Sequence, residues 1–234
     1  MRTIAVLQSN YIPWKGYFDL VNDVDLFVFY DDLQITKNDW RNRNKIKSRK
    51  GVEWISIPIG TDINRLICEV EINPSWQIKH WKTINQNYCK APFYDMYNDF
   101  LKDVYLHRRW TNLSELNQYL IRIISTKYLG IKTEFRDSRE YNLSGKKQDR
   151  LLELLIKVNA ERYISGPAAK AYINPLCFVD SGIDLVWKDY SGYPEYAQLY
   201  PPFEHGVSIL DLLFNVGPSA PWYIWGWREE LPKL

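Results

Sequence analysis

Residues 3–32 read TIAVLQSNYIPWKGYFDLVNDVDLFVFYDD, and the order of patterns within them decides the fold class. The apolar run over 3–8 suits a strand buried on both faces. Residues 16–22 change to a helical period, and DLFVFY at 25–30 is a second short apolar run bounded by acids. Strand, loop, helix, strand is the order of a βαβ unit in a parallel sheet. The connector carries more than turn chemistry. Gln8, Asn10, Tyr11, Trp14 and Tyr17 place amides and aromatic rings after a strand, where open parallel sheets bind their ligands. Gly16 opens the following helix, whose first backbone N–H groups could meet an anion.

Working outward, residues 52–59 (VEWISIPI) alternate as a strand closed by Gly60, and 67–72 read as a short edge strand. The chain then turns helical. Asn73 and Pro74 suit a helix start, aromatics recur at helical spacing over 92–107, and Asn112 with Glu115 makes a capping pair before a leucine-rich face that Gly130 closes. The α/β rhythm returns with a strand in 132–138, a cap at Ser144, an amphipathic helix, strands in RYISG and IDLVWKDY, and a helix from Ser208 to Gly217. These patterns predict an α/β, Rossmann-like, mostly parallel sheet with a helical insertion. Residues 1–72 and 131–217 form its core, 73–130 the insertion, and 218–234 a tail rich in Trp and Pro.

Across 234 residues, 46% are hydrophobic and 25% charged, an ordinary globular balance with enough chain for a sizeable core. Net charge is +2, so nucleic acid is not expected as a partner. The three cysteines are scattered without ligand spacing, which argues against a zinc site or a disulfide framework, and no metal site is expected. No apolar stretch is long enough to span a membrane, and the first run is too short for a secretory signal, so a cytoplasmic location is expected. The aromatic share is 15%, with ten Trp and seventeen Tyr, residue types that line sugar and nucleotide sites as well as cores.

Three more segments carry candidate chemistry. Residues 37–50 (KNDWRNRNKIKSRK) crowd seven cations around Trp40; Arg41, Arg43 and Lys45 suit a phosphate, and Trp40 suits a stacked ring. In YISGPAAKAYI, Ser165 and Gly166 end a strand, and Lys170 could reach the same cleft. In YAQLYPPFEHGVSILDLLFNVG, His205 stands in a loop before a helix cap.

The first block resembles nucleotidyltransferases of the HIGH-motif kind and pantothenate synthetase, although both histidines of that motif are absent and Tyr17 follows Gly16. Together with YISGPAAKAYI and the His205 segment, it looks like the WbqC-like family, with Ser9 where that family's pattern has Pro. The resemblance implies a place in bacterial O-antigen and surface-polysaccharide clusters and a sugar-modifying acyl or aminoacyl transfer, with a glycyl transfer proposed for members. The expected acceptor is a nucleotide-linked amino sugar. Its amine needs a base, for which Asp31 is the candidate with His205 behind it, and Lys37 could stabilise the oxyanion. The donor is open between a thioester on an acyl-carrier protein and a carboxylate activated with ATP; oligomeric state is also open. The alternatives are an ATP-dependent amide ligase or nucleotidyltransferase, and a non-catalytic carbohydrate- or partner-binding protein.

Overall fold

The computed structural model describes residues 1–229; the last five positions of the expected tail, 230–234, lie outside the described residues. Five parallel strands form one sheet in the order β5-β2-β1-β6-β7, built from β1 (Thr3–Leu7), β2 (Leu26–Phe29), β5 (Glu134–Asp137), β6 (Arg162–Ser165) and β7 (Asp184–Trp187). This is the Rossmann-like sheet expected from the opening residues. β3 (Arg43–Ser48) and β4 (Gly51–Ser56) make a separate antiparallel hairpin. Part of the cation run at 37–50 is therefore strand. The strand read at 52–59 pairs with it rather than joining the parallel sheet. The edge strand expected at 67–72 is a single 3-10 turn, Ile67–Glu69, held by the bond from Ile67 N to Leu33 O.

Side chains alternate along β2 to make two cores. Phe27 and Phe29 face one side with Ala5, while Leu26 and Val28 face the other with Ile4 and Val6. The second face is covered by α5 (Lys147–Lys157), through Leu151, Leu154 and Leu155, and by Phe178 of α6 (Leu176–Asp180). The first face is covered by α1 (Lys15–Asn22), α2 (Trp76–Tyr88), α3 (Tyr94–Lys102), α4 (Leu113–Ile123), α7 (Ile209–Val216) and α8 (Ala220–Ile224). The helical stretch after residue 73 thus shares one core with the sheet. Asn112 caps α4, its Oδ1 accepting from Glu115 N at 3.0 Å. Ser144 does not cap α5; its N–H and that of Gly145 go to Glu153, and the helix starts three residues later. Among the described residues, no helix is long and apolar enough to cross a membrane.

A buried chain of polar groups joins the first loop to α2 and to the π-helical turn Asp103–His107 that follows α3. His80 Nε2 donates to Ser56 O at 3.1 Å, so Nδ1 is the unprotonated nitrogen and accepts from Tyr11 OH at 2.8 Å; Tyr105 OH lies 2.7 Å from Tyr11 OH. Burial lowers the His80 pKa to about 4. The unfolded chain takes up this proton near pH 6.5 and the folded chain resists it down to about 4, so His80 makes stability fall as pH drops through that window. The full effect is about 3 kcal/mol. Denaturant titrations at pH 7 and 4.5 should show this acid loss in the parent chain and a clearly smaller one in His80→Gln; equal losses would contradict it.

Candidate functional site

The strand order reverses at β1, with β2 and β5 on one side and β6 and β7 on the other. Loops leaving the carboxyl ends of β1 and β6 diverge there and open a crevice. A cavity of about 610 Å³ fills it, walled by Gln8 after β1, by Ser165 and Gly166 after β6, by Tyr30, and by Lys147 and Gln148 at the start of α5. Its floor is apolar, with Val6, Leu20, Leu151 and Ile164. That volume lies within the range of small-molecule sites.

A second cavity, of about 330 Å³, lies against the same loop and is lined by Asn10, Trp14, Trp40, Asn44, Lys45 and Gly206. Trp40 and Trp54 are 42% and 44% exposed with ring centroids 5.2 Å apart, and the Arg43 guanidinium sits 4.2 Å from the Trp54 centroid. Solvent-facing indole rings beside cations make an open stacking platform. Gln8 Oε1 accepts from Arg41 Nη2 at 2.6 Å, and Arg41 Nη1 is held by Asp39 at 3.0 Å. The Gln8–Arg41 pair therefore links a wall of the first cavity to the chain segment that supplies Trp40 to the second.

The loop is fixed from below. Asp31, at the end of β2, is fully buried; it accepts from Ser9 N at 2.8 Å, Ser114 Oγ at 2.5 Å and Gln118 Nε2 at 3.0 Å. Burial raises its pKa while these donors pull it down. Asn44 Nδ2 donates to the carbonyls of Tyr11 and Ile12 at 3.0 and 2.9 Å, holding Ile12 at a φ of 37°, which a β-branched residue rarely adopts. Tyr17 OH donates to Gln8 O at 3.1 Å.

Of the residues expected at a site, Gln8, Ser165 and Gly166 line the first cavity, and Asn10, Trp14, Trp40 and Lys45 the second. Arg41 lies between them, and Arg43 packs on Trp54. Tyr11, Tyr17 and Asp31 are buried supports of the loop: the Asp31 carboxylate is bonded to three donors and faces neither cavity, so the base expected there acts as an anchor. Lys37 and Lys170 are exposed and line neither cavity; Lys170 Nζ instead lies 5.7 Å from the Trp187 ring. His205 is exposed at the edge of the second cavity, next to Gly206, with its ring 4.5 Å from that of Phe203. Burial, with Lys15 close by, lowers its pKa.

Tyr30, Asn44, Lys147 and Gln148 were not singled out by the sequence patterns, because they read as ordinary strand, charge-run and helix residues. Nor was Lys15. It is 3% exposed, with Nζ 3.3 Å from Pro194 O and 4.9 Å from the Tyr193 ring centroid, and burial lowers its pKa to about 8. Its partners lie far along the chain and leave no local signal. Among the described residues, no group of three or more His, Cys, Asp or Glu is arranged to hold a metal ion.

Two substitutions test this construction. Asp31→Ala strands the N–H of Ser9 and the Ser114 and Gln118 side chains in a dry interior, and should cost about 3 kcal/mol or more of unfolding free energy by denaturant titration. A loss below about 1 kcal/mol would remove it as the anchor. At Gly16, an added Cβ would stand 2.3 Å from the Trp14 ring. Gly16→Ala should therefore cost about 1–3 kcal/mol and shift Trp14 fluorescence, and an unchanged spectrum and stability would place the ring elsewhere.

The sequence profile of the WbqC-like protein family matches residues 8–223, a range that begins at Gln8 and takes in the walls of the second cavity and nearly all of the first. The uncharacterized protein Rv1507c of Mycobacterium tuberculosis is 44% identical over 227 residues, which cover 96% of this chain and 98% of that protein. No solved structure matches significantly. On the extent of both sequence matches, this chain belongs to the WbqC-like protein family.

Proposed function

We propose that the protein is a transferase that moves an acyl or aminoacyl group onto the amine of a nucleotide-linked amino sugar, in cytoplasmic O-antigen or related surface-polysaccharide synthesis. One observation carries this reading: a single anchored loop lines two cavities, with Gln8 in one and Asn10 in the other. Group transfer needs two substrates held side by side, and a rigid shared wall supplies that proximity. The amino sugar lies in the second cavity, with its ring against Trp40 and its polar groups within reach of Asn10 and Lys45.

In the reaction the sugar nitrogen attacks the acyl carbon. A C–N bond forms, the bond to the leaving group breaks, and the nitrogen gives up a proton. His205, at the rim of the second cavity, takes the place of Asp31 as base; the surroundings that lower its pKa keep it neutral and able to accept a proton. The Gln8 amide N–H2, in the wall of the first cavity, and Arg41, bonded to Gln8 and next in the chain to Trp40, serve the oxyanion in place of Lys37, which lines neither cavity. The nucleotidyltransferase alternative is less well supported, because Tyr17 is buried with its hydroxyl committed to Gln8 O and cannot replace a catalytic histidine.

A mass-spectrometric assay with nucleotide-linked amino sugars and panels of acyl and aminoacyl donors tests this reading. A sugar that gains the donor's mass only in the presence of the protein supports it. Saccharide binding without turnover across the panels would favour the carbohydrate-binding alternative. Trp40→Ala should weaken saccharide affinity about tenfold, ~1.4 kcal/mol, by calorimetry. Its melting temperature should stay within a few degrees, since the ring is nearly half exposed. Unchanged affinity would remove the platform from the site.

A further inference from the structure

One wall of the switch-point cavity is the N-terminus of α5, an eleven-residue helix that no side chain caps. Its first N–H groups have no intrahelical partner and carry the positive end of the helix dipole. Lys147 and Gln148, the first two residues, line the cavity, and the Lys147 side chain is exposed. Gln148 is held in place by two bonds to Asn174, from Asn174 N at 2.7 Å and to Asn174 O at 3.3 Å.

A second observation is independent of the helix. Tyr30 lines the same cavity, is 8% exposed, and its hydroxyl has no hydrogen-bond partner in the protein. A buried hydroxyl left without a partner is unfavourable unless something else supplies one. Burial pushes its pKa up to about 12, so it remains a donor at neutral pH. Gln8 contributes further: its Oε1 is taken by Arg41, which leaves the amide N–H2 for a ligand. The nearby carboxylates do not cancel these donors. Asp32 is paired with Arg150 at 2.5 Å, Glu153 is taken by Lys157 and the N–H groups of Ser144 and Gly145, and Asp149 of the same helical turn is not part of the wall.

We propose that this cavity binds a phosphorylated small molecule, with the phosphate at the N-terminus of α5, the Tyr30 hydroxyl donating to the ligand, and an uncharged body against the apolar floor. This deepens the proposed transfer reaction, on which it rests, by naming the chemistry of the ligand in the larger cavity. Two sources present that chemistry. One is the diphosphate of a nucleotide-linked sugar lying across the Gln8–Arg41 pair. The other is the phosphopantetheine arm of a thioester donor, with the sugar alone in the second cavity.

The test titrates the full chain with inorganic phosphate, a uridine-diphosphate amino sugar, 4′-phosphopantetheine and the free amino sugar, following backbone amide shifts and calorimetry. At least one phosphorylated probe should shift the Lys147 and Gln148 amides, and whichever organic probe binds more tightly identifies the source. Tyr30→Phe and Lys147→Gln should each weaken that probe about tenfold. Both should leave the melting temperature and free amino-sugar binding unchanged, because one removes an unpartnered group and the other an exposed charge. No shift at α5 with any phosphorylated probe, or full affinity in Tyr30→Phe, would overturn the phosphate subsite. Phosphate binding at α5 without any acyl transfer would leave the subsite standing and overturn the transfer reaction instead. Amino-sugar turnover with no response at α5 would do the reverse.

Discussion

The arrangement depends on the buried carboxylate of Asp31. It stands at the end of β2 and accepts from Ser9 N in the loop after β1 and from Ser114 and Gln118 of α4. Gln118 also donates to Asp137, at the end of β5, at 2.8 Å. The carboxyl ends of three neighbouring strands are thus bound to one helix through two side chains. A buried charge is tolerated only where donors surround it, and here the donors are the parts that must be held in register. With the loop after β1 held from below, Gln8 is left beside one cavity and Asn10 beside the other.

Other buried acids brace the outer walls. Asp19 of α1 takes both arms of the Arg228 fork at 2.8 and 2.7 Å, Lys188 at 2.9 Å and the Tyr193 hydroxyl at 2.5 Å, so the described part of the tail is tied to the helix that follows the loop. Asp211 of α7 accepts from Tyr88, Tyr196 and Gln198 at 2.9, 2.8 and 2.9 Å. That network steadies the segment that carries His205 and the rings around Lys15. A rigid frame of this kind suits a site whose ligands, rather than its loops, complete the hydrogen bonding.

The strands of the main sheet were legible in the sequence because short, nearly continuous apolar runs record burial on both faces. The hairpin was not. Within 43–48, Arg43 and Lys45 are only partly buried while Asn44 and Ile46 are buried, an alternation hidden by the density of positive charge. The start of α5 at Lys147 was legible, but its capping was not: Ser144 has the chemistry of a cap, whereas the chain uses Glu153 to hold that turn and leaves the helix end open. At the site, the glutamine, asparagine and tryptophans of the first loop stood out as excess over turn chemistry. The anchoring role of Asp31 did not, because its helix partners lie 83 and 87 residues away and no local spacing records them. Tyr30 reads in sequence as the last residue of a buried strand, and only the cavity beside it marks it as part of a wall.

The most direct measurement is a crystal structure of the chain soaked with a nucleotide-linked amino sugar and a phosphopantetheine thioester together. The account predicts density on both sides of an unmoved Gln8–Arg41 pair, with a sugar ring against Trp40 in the smaller cavity and a phosphate at the first turn of α5 in the larger. Ligands bound away from both cavities, or a loop after β1 that must rearrange to admit them, would contradict it.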